Sequence, residues 1–434
     1  MTNNHSDQLS FQILEICIYI EMRQIHVARR LLHLTSKTKF EASKKPKCVL
    51  NPCKCLVVPC CMRDMINYSS GQCLLPDVDD DIWNSVIKYS KYRPMPLSIE
   101  TFLHHGQHSS REVSYRFLRQ EIPTRLAGLL LEFNLLPSIL QKQTMVSNVR
   151  DDHLQTFQEL LEFPDKPTEA NLEEFDERLA NIRQRHADTV SQLAEAVMET
   201  KFELEDSKQD VDSGIEAAIQ YFLDRMYMTR ISTRMLYNQH LYIHGDNVAK
   251  PRHVGQIDPY CDVANSVRRA YEEAAKLCDL HYGEHPEMEV ITFNKTNSES
   301  ENVPILFAYV PSHLHHMVFE VIKNSMRATI EHSKMIGSSL PPINVLISKT
   351  DVDITIKISD CGGGIPRSMM GNLFKYMYTT AGRVGKAHVD MVKNSHVPPM
   401  AGLGYGLPLS RLYARYACIS INHECKINFN IQFL

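Results

Sequence analysis

Four short motifs follow one another between residues 316 and 407 of this 434-residue chain, and their order limits what it can fold into. They are His316-x-x-x-Glu320-x-x-Lys323-Asn324, Asp360-Cys361-Gly362-Gly363-Gly364, Tyr378-Thr379-Thr380 and Gly402-Leu403-Gly404-Tyr405-Gly406-Leu407. Each motif is weak alone. Together they supply a metal-binding amide, a general base, a carboxylate that can hydrogen-bond a nucleobase, and a glycine-rich lid. These are the groups that an ATP site needs.

The first motif and one arginine beyond it lie at helical steps of three, four and seven, on one side of a single predicted helix. The amide oxygen of Asn324 suits Mg²⁺. Glu320, one turn earlier, can accept a proton from an attacking hydroxyl, and His316 can orient that carboxylate. Lys323 and Arg327 can neutralise phosphate charge. The alternative is the solvated face of an amphipathic helix.

The second motif favours a nucleotide site over that alternative. A predicted strand ends at Asp360 and runs into three glycines. A buried aspartate there can accept a hydrogen bond from the amino group of adenine, while Gly362 and Gly364 let the backbone turn with no side chain against the base. Thr379 and Thr380 either hydrogen-bond the ribose or phosphate, or are surface threonines.

The last motif differs from a dinucleotide-binding fingerprint because Leu407 stands at the final glycine position and no strand leads into it. A glycine loop that runs into a helix presents backbone N–H groups to phosphates. Residues 381–401 form a long segment of the kind that closes over a nucleotide. The residues predicted to contact the nucleotide here are Gly402, Leu403, Gly404, Tyr405, Gly406 and Leu407.

Composition is ordinary for a soluble globular chain, with 43% hydrophobic and 23% charged residues. The net charge of −4 argues against nucleic acid as a partner, and no apolar run reaches the length of a membrane span. We divide the chain into four zones. They are a poorly ordered leader (residues 1–85), a helical bundle (86–250), an ATP-binding domain (251–416) and an atypical tail (417–434).

Periodicity predicts the architecture of the two central zones. Long helices with apolar faces, joined by short loops, predict a four-helix bundle in the first. The second reads strand, helix, strand, strand, with Ser312 as a predicted N-cap of the helix that carries the first motif. Helices on one face of a sheet give an α/β sandwich.

The leader contains two unusual stretches. Residues 22–47 are basic, with Glu41 as their only acid, and read either as a mitochondrial transit segment or as a basic disordered tail. The following stretch is rich in cysteine but lacks paired metal-binding spacing, so an insert with incidental thiols is favoured over a zinc site.

The order of the motifs resembles the GHKL (Bergerat) ATP-binding fold. From about Tyr89 to Tyr416 the flanking sequence resembles the mitochondrial pyruvate dehydrogenase kinases. The strings that carry this resemblance include YRPMPLSIETFL, SYRFLRQEIPTRLAG, IRQRHADTV, YFLDRMYMTRISTRMLYNQH, HVGQIDP, YVPSHLHHMVFEVIKNSMRAT and GLPLSRLYARY. The branched-chain ketoacid dehydrogenase kinases fit less well.

The resemblance implies a homodimeric serine kinase of the mitochondrial matrix, using ATP and Mg²⁺. It would phosphorylate the E1α subunit of the pyruvate dehydrogenase complex and dock on lipoyl domains of E2. It makes Glu320 the general base, Asn324 the Mg²⁺ ligand and Asp360 the adenine reader. In the bundle, the residues that match the family's effector pocket for pyruvate-like carboxylates are Tyr221, Arg230 and Arg234. The alternative is that the two arginines are ordinary charged residues on a helix surface.

Two departures from the family leave other interpretations open. Residues 48–81 have no counterpart, and from Ala417 onward the expected strand–turn–strand and C-terminal arm are replaced by ACISINHECKINFNIQFL. We therefore expect a less stable ATP-binding domain and weaker lipoyl-domain docking. A catalytically weak isoform that retains partner binding and a bare GHKL ATPase remain as alternatives to the kinase.

Overall fold

The computed structural model describes residues 13–21, 78–206, 213–245, 251–294, 303–351, 353–379, 403–417 and 419–426. The chain divides into two compact units. One contains residues 1–26, 260–414 and 418–434, and the other contains residues 27–259 and 415–417. In the described residues no helix is both long enough and apolar enough to span a bilayer.

The second unit is helical. Its described helices are α1 (Asp80–Ser90), α2 (Ile99–His108), α3 (Arg111–Asn134), α4 (Ser138–Gln141), α5 (Thr144–Leu161), α6 (Glu169–Arg185), α7 (Thr189–Asp206) and α8 (Ser213–His244). Several begin at side-chain caps, since Ser98, Ser110 and Thr168 each accept a backbone N–H of the first turn. Helix α3 packs against α1, α5 and α8, and α5 packs against α7. The predicted N-terminal helical domain is confirmed.

Aromatic side chains fill the centre of this domain. Tyr115 on α3 lies with its ring centroid 4.6 Å from that of Phe175, and Phe133 lies 5.0 Å from Phe222. The single tryptophan, Trp83, is only 3% exposed in α1. The predicted leader boundary at residue 85 is therefore too late, because the apolar face of α1 already belongs to the bundle.

The first unit has a mixed sheet with helices. Its described elements are β1 (Ile13–Glu21), β2 (Asp258–Asp262), α9 (Val263–Tyr282), β3 (Met288–Asn294), β4 (Leu306–Tyr309), α10 (Pro311–Ile336), β5 (Ile343–Lys349), β6 (Asp353–Asp360), α11 (Gly406–Tyr416) and β7 (Ile419–Lys426). A short 3₁₀ helix covers Arg367–Asn372. The strand order is β3-β5-β6-β1-β7, and β2 pairs with β4 in a separate two-stranded sheet.

Alternation of side chains explains how the sheet is covered. In β6 every second residue is buried, so that Ile354, Ile356 and Ile358 form one apolar row. Helices α9 and α10 pack against each other, α10 also packs on β6, and α9 contacts β3. The mixed α/β architecture predicted from the sequence is confirmed.

Helix α10 begins two residues earlier than the predicted N-cap implied. Pro311 is its first residue and Val310 its N-cap, without a side-chain cap bond, so the prediction of Ser312 as N-cap is wrong. Proline suits the first helical position because its ring fixes φ and its missing N–H would have had no partner there. The last residue of the helix is Ile336, and its C-cap is Gly337, which has a φ of 68°.

The leader and the tail both contribute strands to the sheet, and the strand from the leader was not predicted from the sequence. Strand β1 lies between β6 and β7 and is antiparallel to both, pairing Leu14 with Asp360 and Ile20 with Ile419. Ile18 in β1 is fully buried. The prediction of a poorly ordered leader therefore fails for β1. The basic and cysteine-rich stretches of the leader lie outside the described residues.

Candidate active site

Glu320 and Lys323 form the ionic centre of the α10 motif. The Lys323 ammonium donates a hydrogen bond to Glu320 Oε1 at 2.9 Å and forms an ion pair with the same carboxylate, 2.8 Å from Oε2. Lys323 is only 7% exposed, and its Nζ lies 5.1 Å from the centroid of the Phe319 ring. The lysine that was predicted to neutralise phosphate is thus already engaged with the predicted base.

His316 has different neighbours from those predicted. Its ring centroid lies 5.0 Å from that of Tyr413 on α11, and its buried Nε2 has no hydrogen-bond partner among the described residues. Burial lowers the pKa of His316. The expectation that His316 orients Glu320 by a hydrogen bond is therefore not met, since Lys323 takes that role in this structure.

Asn324 and Arg327 follow on the same helix. Asn324 is half-buried, one turn beyond Glu320. The Arg327 guanidinium pairs with Glu331 at 3.0 Å and has a 13% exposed side chain. Arg327 would have to leave that partner before it could reach a phosphate.

Asp360 closes β6 as a buried carboxylate with one unsatisfied oxygen. It is 2% exposed, and its Oδ1 accepts the Gly362 N–H at 2.9 Å. Its Oδ2 is buried and meets no hydrogen-bond partner within the described residues. Burial raises the pKa of Asp360 to about 6, while the hydrogen bond from the Gly362 N–H and the nearby Ser325 hydroxyl oppose that shift. An unpartnered buried oxygen of this kind fits the amino group of adenine.

The glycine loop after Asp360 lies against the second half of α10. A Cβ at Gly362 would stand 2.4 Å from the Ala328 Cβ, so this position accepts no side chain. Gly364 has a φ of 75°, a left-handed conformation that favours glycine. The tight approach of loop and helix is what places Asp360 beside Ser325.

The glycine lid is described from Leu403 onward. Gly404 has a φ of 78°, and its carbonyl accepts the Met377 N–H at 3.1 Å. The Tyr405 ring packs 5.4 Å from that of Tyr376. Gly406 opens α11, and a Cβ there would stand 2.0 Å from Glu320 Oε2.

The remaining predicted nucleotide contacts are only partly described. Leu407 and Thr379 are half-buried. Thr380, Gly402 and the segment 381–401 lie outside the described residues.

The predicted effector residues of the bundle do not all face one cleft. Arg230 lines a cleft with His153, His186 and Tyr237. Arg234 is not among the lining residues, but its charge opposes the rise that burial causes in the pKa of Tyr237. Tyr221 is elsewhere, donating to Glu132 at 3.2 Å.

The positions on α8 explain this separation. Tyr221 stands nine positions before Arg230 on that helix, which is two and a half turns and so places it on the opposite side. The structure therefore does not bring Tyr221 together with Arg230.

Sequence reasoning missed Ser325 and Ala328 on α10, and His153 and His186 in the bundle cleft. The first two could have been found, because small residues three positions apart on the side of α10 that faces the glycine loop indicate close backbone packing. The histidines could not, because His153 on α5 meets His186 after α6 only through the tertiary fold, with ring centroids 4.3 Å apart.

Comparison with known proteins finds a matching family model in each of the two units. A family model described as mitochondrial branched-chain alpha-ketoacid dehydrogenase kinase matches residues 96–258. One described as histidine kinase-, DNA gyrase B- and HSP90-like ATPase matches residues 309–431. The mitochondrial [pyruvate dehydrogenase (acetyl-transferring)] kinase of Drosophila melanogaster is 46% identical over 76% of this chain and 78% of its own length.

The chain belongs to the mitochondrial pyruvate dehydrogenase kinase family. Two further members support this. Isozyme 3 of Mus musculus is 46% identical over 76% of this chain and 77% of its own length. Isozyme 1 of Homo sapiens is 42% identical over 81% of this chain and 78% of its own length. In this family the GHKL-type domain is the ATP-binding part, which agrees with the buried acceptor at Asp360.

Proposed function

We propose that this chain is a mitochondrial protein-serine kinase that transfers the γ-phosphate of ATP to the E1α subunit of the pyruvate dehydrogenase complex. Relatives that are kinases of pyruvate dehydrogenase by name match most of the chain, over both units. The observation that carries the proposal is helix α10. Its first half bears Glu320 and Asn324, and its second half holds the loop that follows Asp360. One rigid element thus relates the phosphate end of a nucleotide to its adenine end.

Glu320 is the base in this proposal. It would accept the proton of the substrate serine hydroxyl as that oxygen attacks the γ-phosphorus. Lys323 donates to Oε1 and is ion-paired with the carboxylate, which fixes the direction in which its oxygens point. A base held in one orientation loses less entropy when the serine arrives.

Asn324 would hold the magnesium ion of the nucleotide through its amide oxygen. The side chain fits this role because it is half-buried, uncharged and one turn from Glu320. Magnesium bound with ATP would neutralise charge on the phosphates. Asp360 Oδ2 would accept the adenine amino group, and the backbone of the lid from Gly404 to Leu407 would face the phosphates.

The bundle would provide docking and regulation. By the family resemblance it contacts lipoyl domains of E2, the kinase is a homodimer, and pyruvate-like carboxylates bind in the bundle. Arg230 supports the last point, since it lines the cleft beside Tyr237 and can pair with a carboxylate, and Arg234 lies close enough to influence the pKa of Tyr237.

Phosphate transfer from radiolabelled ATP to purified E1α tests the function, run beside a nucleotide-binding titration. We expect labelled E1α with the wild-type chain. We expect a loss of roughly 10²–10⁴-fold with Glu320→Gln, at nearly unchanged ATP affinity. ATP binding without transfer would mean a catalytically inactive isoform. Faster labelling of the branched-chain ketoacid dehydrogenase subunit would favour the other branch, whose name the helical family model bears.

A further inference from the structure

The Glu320 carboxylate lies against the first residue of helix α11. A Cβ built on Gly406 would stand 2.0 Å from Glu320 Oε2, 2.8 Å from its Cδ and 3.3 Å from its Cγ. Real Cβ atoms do not approach other atoms to 2.0 Å, so any side chain at this position would displace the carboxylate.

On its other side the carboxylate is held by Lys323. The ammonium donates to Oε1 and lies 2.8 Å from Oε2, and Lys323 is itself almost fully buried over the Phe319 ring. The carboxylate therefore lies between a fixed cation and a bare backbone. A shift away from Gly406 would disturb the geometry of the ion pair.

The backbone itself does not require glycine at this position. Gly404 has a φ of 78°, but the φ of Gly406 is not in the left-handed region. Gly406 is the first residue of α11, and alanine in a helix is favoured over glycine by up to about 1 kcal/mol. The atoms that exclude a side chain belong to Glu320, the movable end of a side chain.

We propose that Gly406 is a positioning residue for the base: it lacks a side chain so that Glu320 can occupy its productive orientation. This inference rests on the proposed kinase function. In this proposal Gly406 sets the position of the Glu320 carboxylate. The other possible role of a lid glycine is to let the phosphates approach the backbone.

Gly406→Ala separates the two roles. We expect kcat for E1α phosphorylation to fall by roughly 10–100-fold, since a displacement near 1 Å can lower catalysis that far. We expect the ATP dissociation constant to change by less than about threefold and the melting temperature not to fall. Gly371→Ala is the matched control, because a Cβ at Gly371 meets no atom within 4 Å. It should leave kcat unchanged.

A double-mutant cycle with Glu320→Gln, measured by single-turnover radiolabel transfer, completes the test. Once the base is removed, Gly406→Ala should cause little further loss. Equal losses in both backgrounds, or a loss of ATP affinity as large as that of kcat, would overturn the positioning role and leave the kinase function standing. Unchanged transfer by Glu320→Gln alone would refute the proposed base and the positioning role together.

Discussion

The proposed adenine contact of Asp360 predicts that nucleotide binding depends on pH, because this carboxyl group is ionisable, buried and hydrogen-bonded through only one oxygen. Its Oδ1 accepts a hydrogen bond from the Gly362 N–H, while its Oδ2 has no hydrogen-bond partner within the described residues. Only the ionised carboxylate leaves both oxygens free to accept. Since burial raises the pKa of Asp360 to about 6, the group is protonated in part just below neutral pH.

ATP affinity should fall as pH falls through 6. One pH unit below the pKa about one tenth of Asp360 is ionised, so we expect roughly tenfold weaker binding at pH 5 than at pH 8. The stability of the apo domain should move the other way. The folded pKa lies above the usual value of 3.8, so the contribution of this group to stability is greatest at low pH and is lost as pH rises through about 6.

Titration of ATP binding and of apo-domain melting against pH measures both effects. Asp360→Asn is the control, and it should remove the contribution of this group to the pH dependence of ATP affinity and to that of stability. Affinity that stays constant from pH 8 to pH 5 in the wild type would contradict the role of Asp360.

Asn324→Ala should weaken Mg²⁺·ATP binding by roughly 10–100-fold, because it removes the amide oxygen proposed to hold the metal. Binding of ATP without Mg²⁺ should change much less. Isothermal titration with and without Mg²⁺ measures the difference. Equal affinity of the variant and the wild type for Mg²⁺·ATP would exclude Asn324 from the metal site.

At the scale of residues, the sequence predicted which residues share a helix better than it predicted which side chains contact each other. Glu320 and Asn324 were placed on one helix because helical spacing is a local property. The partner of Glu320 was assigned to His316, although Lys323 lies equally within reach along the helix. Side-chain rotamers decide between such neighbours, and they depend on α11, which packs Tyr413 against His316.

At the scale of elements, helices α5 and α6 bring two histidines together inside the bundle. The His153 ring donates through Nδ1 to the Val149 carbonyl at 2.6 Å, and His186 Nε2 lies 2.9 Å from the Thr156 hydroxyl. Burial lowers the pKa of His153 to about 4 and that of His186 to about 2. Both rings are therefore neutral in the folded bundle at physiological pH.

The bundle should lose stability in mild acid. The unfolded chain binds a proton at His153 near pH 6.5, whereas the folded chain does so only near 4, so stability falls as pH drops through that window. We expect a loss on the order of 2 kcal/mol from His153 at pH 5. Urea unfolding followed by the fluorescence of Trp83, the only tryptophan, reports on this domain.

Two variants test the assignment of this loss. His153→Phe keeps an aromatic ring but cannot titrate, so its stability should depend less on pH than that of the wild type. His108→Gln alters an exposed histidine of the same domain and should behave like the wild type. If His153→Phe were as acid-sensitive as the wild type, another group would be responsible.

At the scale of the whole molecule, the sheet of the ATP-binding domain joins three distant parts of the chain. Strand β6 ends at Asp360 of the candidate site, β1 belongs to the leader and β7 to the tail. Residues 13–21 alternate Ile16, Ile18 and Ile20 with polar or smaller side chains, which is a strand pattern. The pattern was visible, but its partners were not, because pairing over such a separation has no local signature.

Ile18→Ala should destabilise the ATP-binding domain by about 2–5 kcal/mol, because it opens a cavity at a fully buried site. Ile291→Ala is the matched control, since Ile291 lies in the same sheet but is 54% exposed, and it should change stability by less than about 0.5 kcal/mol. Calorimetry should give two transitions, with the ATP-binding domain melting first. Trp83 fluorescence should report only the second.

A single cooperative transition, unaffected by Ile18→Ala and accompanied by full E1α phosphorylation, would contradict the role of β1. It would also contradict the expectation that the altered tail weakens this domain.

The position of β1 in the sheet has a consequence for biosynthesis. Its two neighbours are β6 and β7, and Glu21 pairs with Asp353. At a translation rate of about 5–20 residues per second, the roughly 330 residues between those partners take on the order of 15–70 s to appear. For that time β1 lacks both of its described partner strands, and its apolar row must be shielded by a chaperone or by transient contacts. The rate of maturation of this kinase should therefore depend on holdase capacity more than on the intrinsic folding speed of either domain.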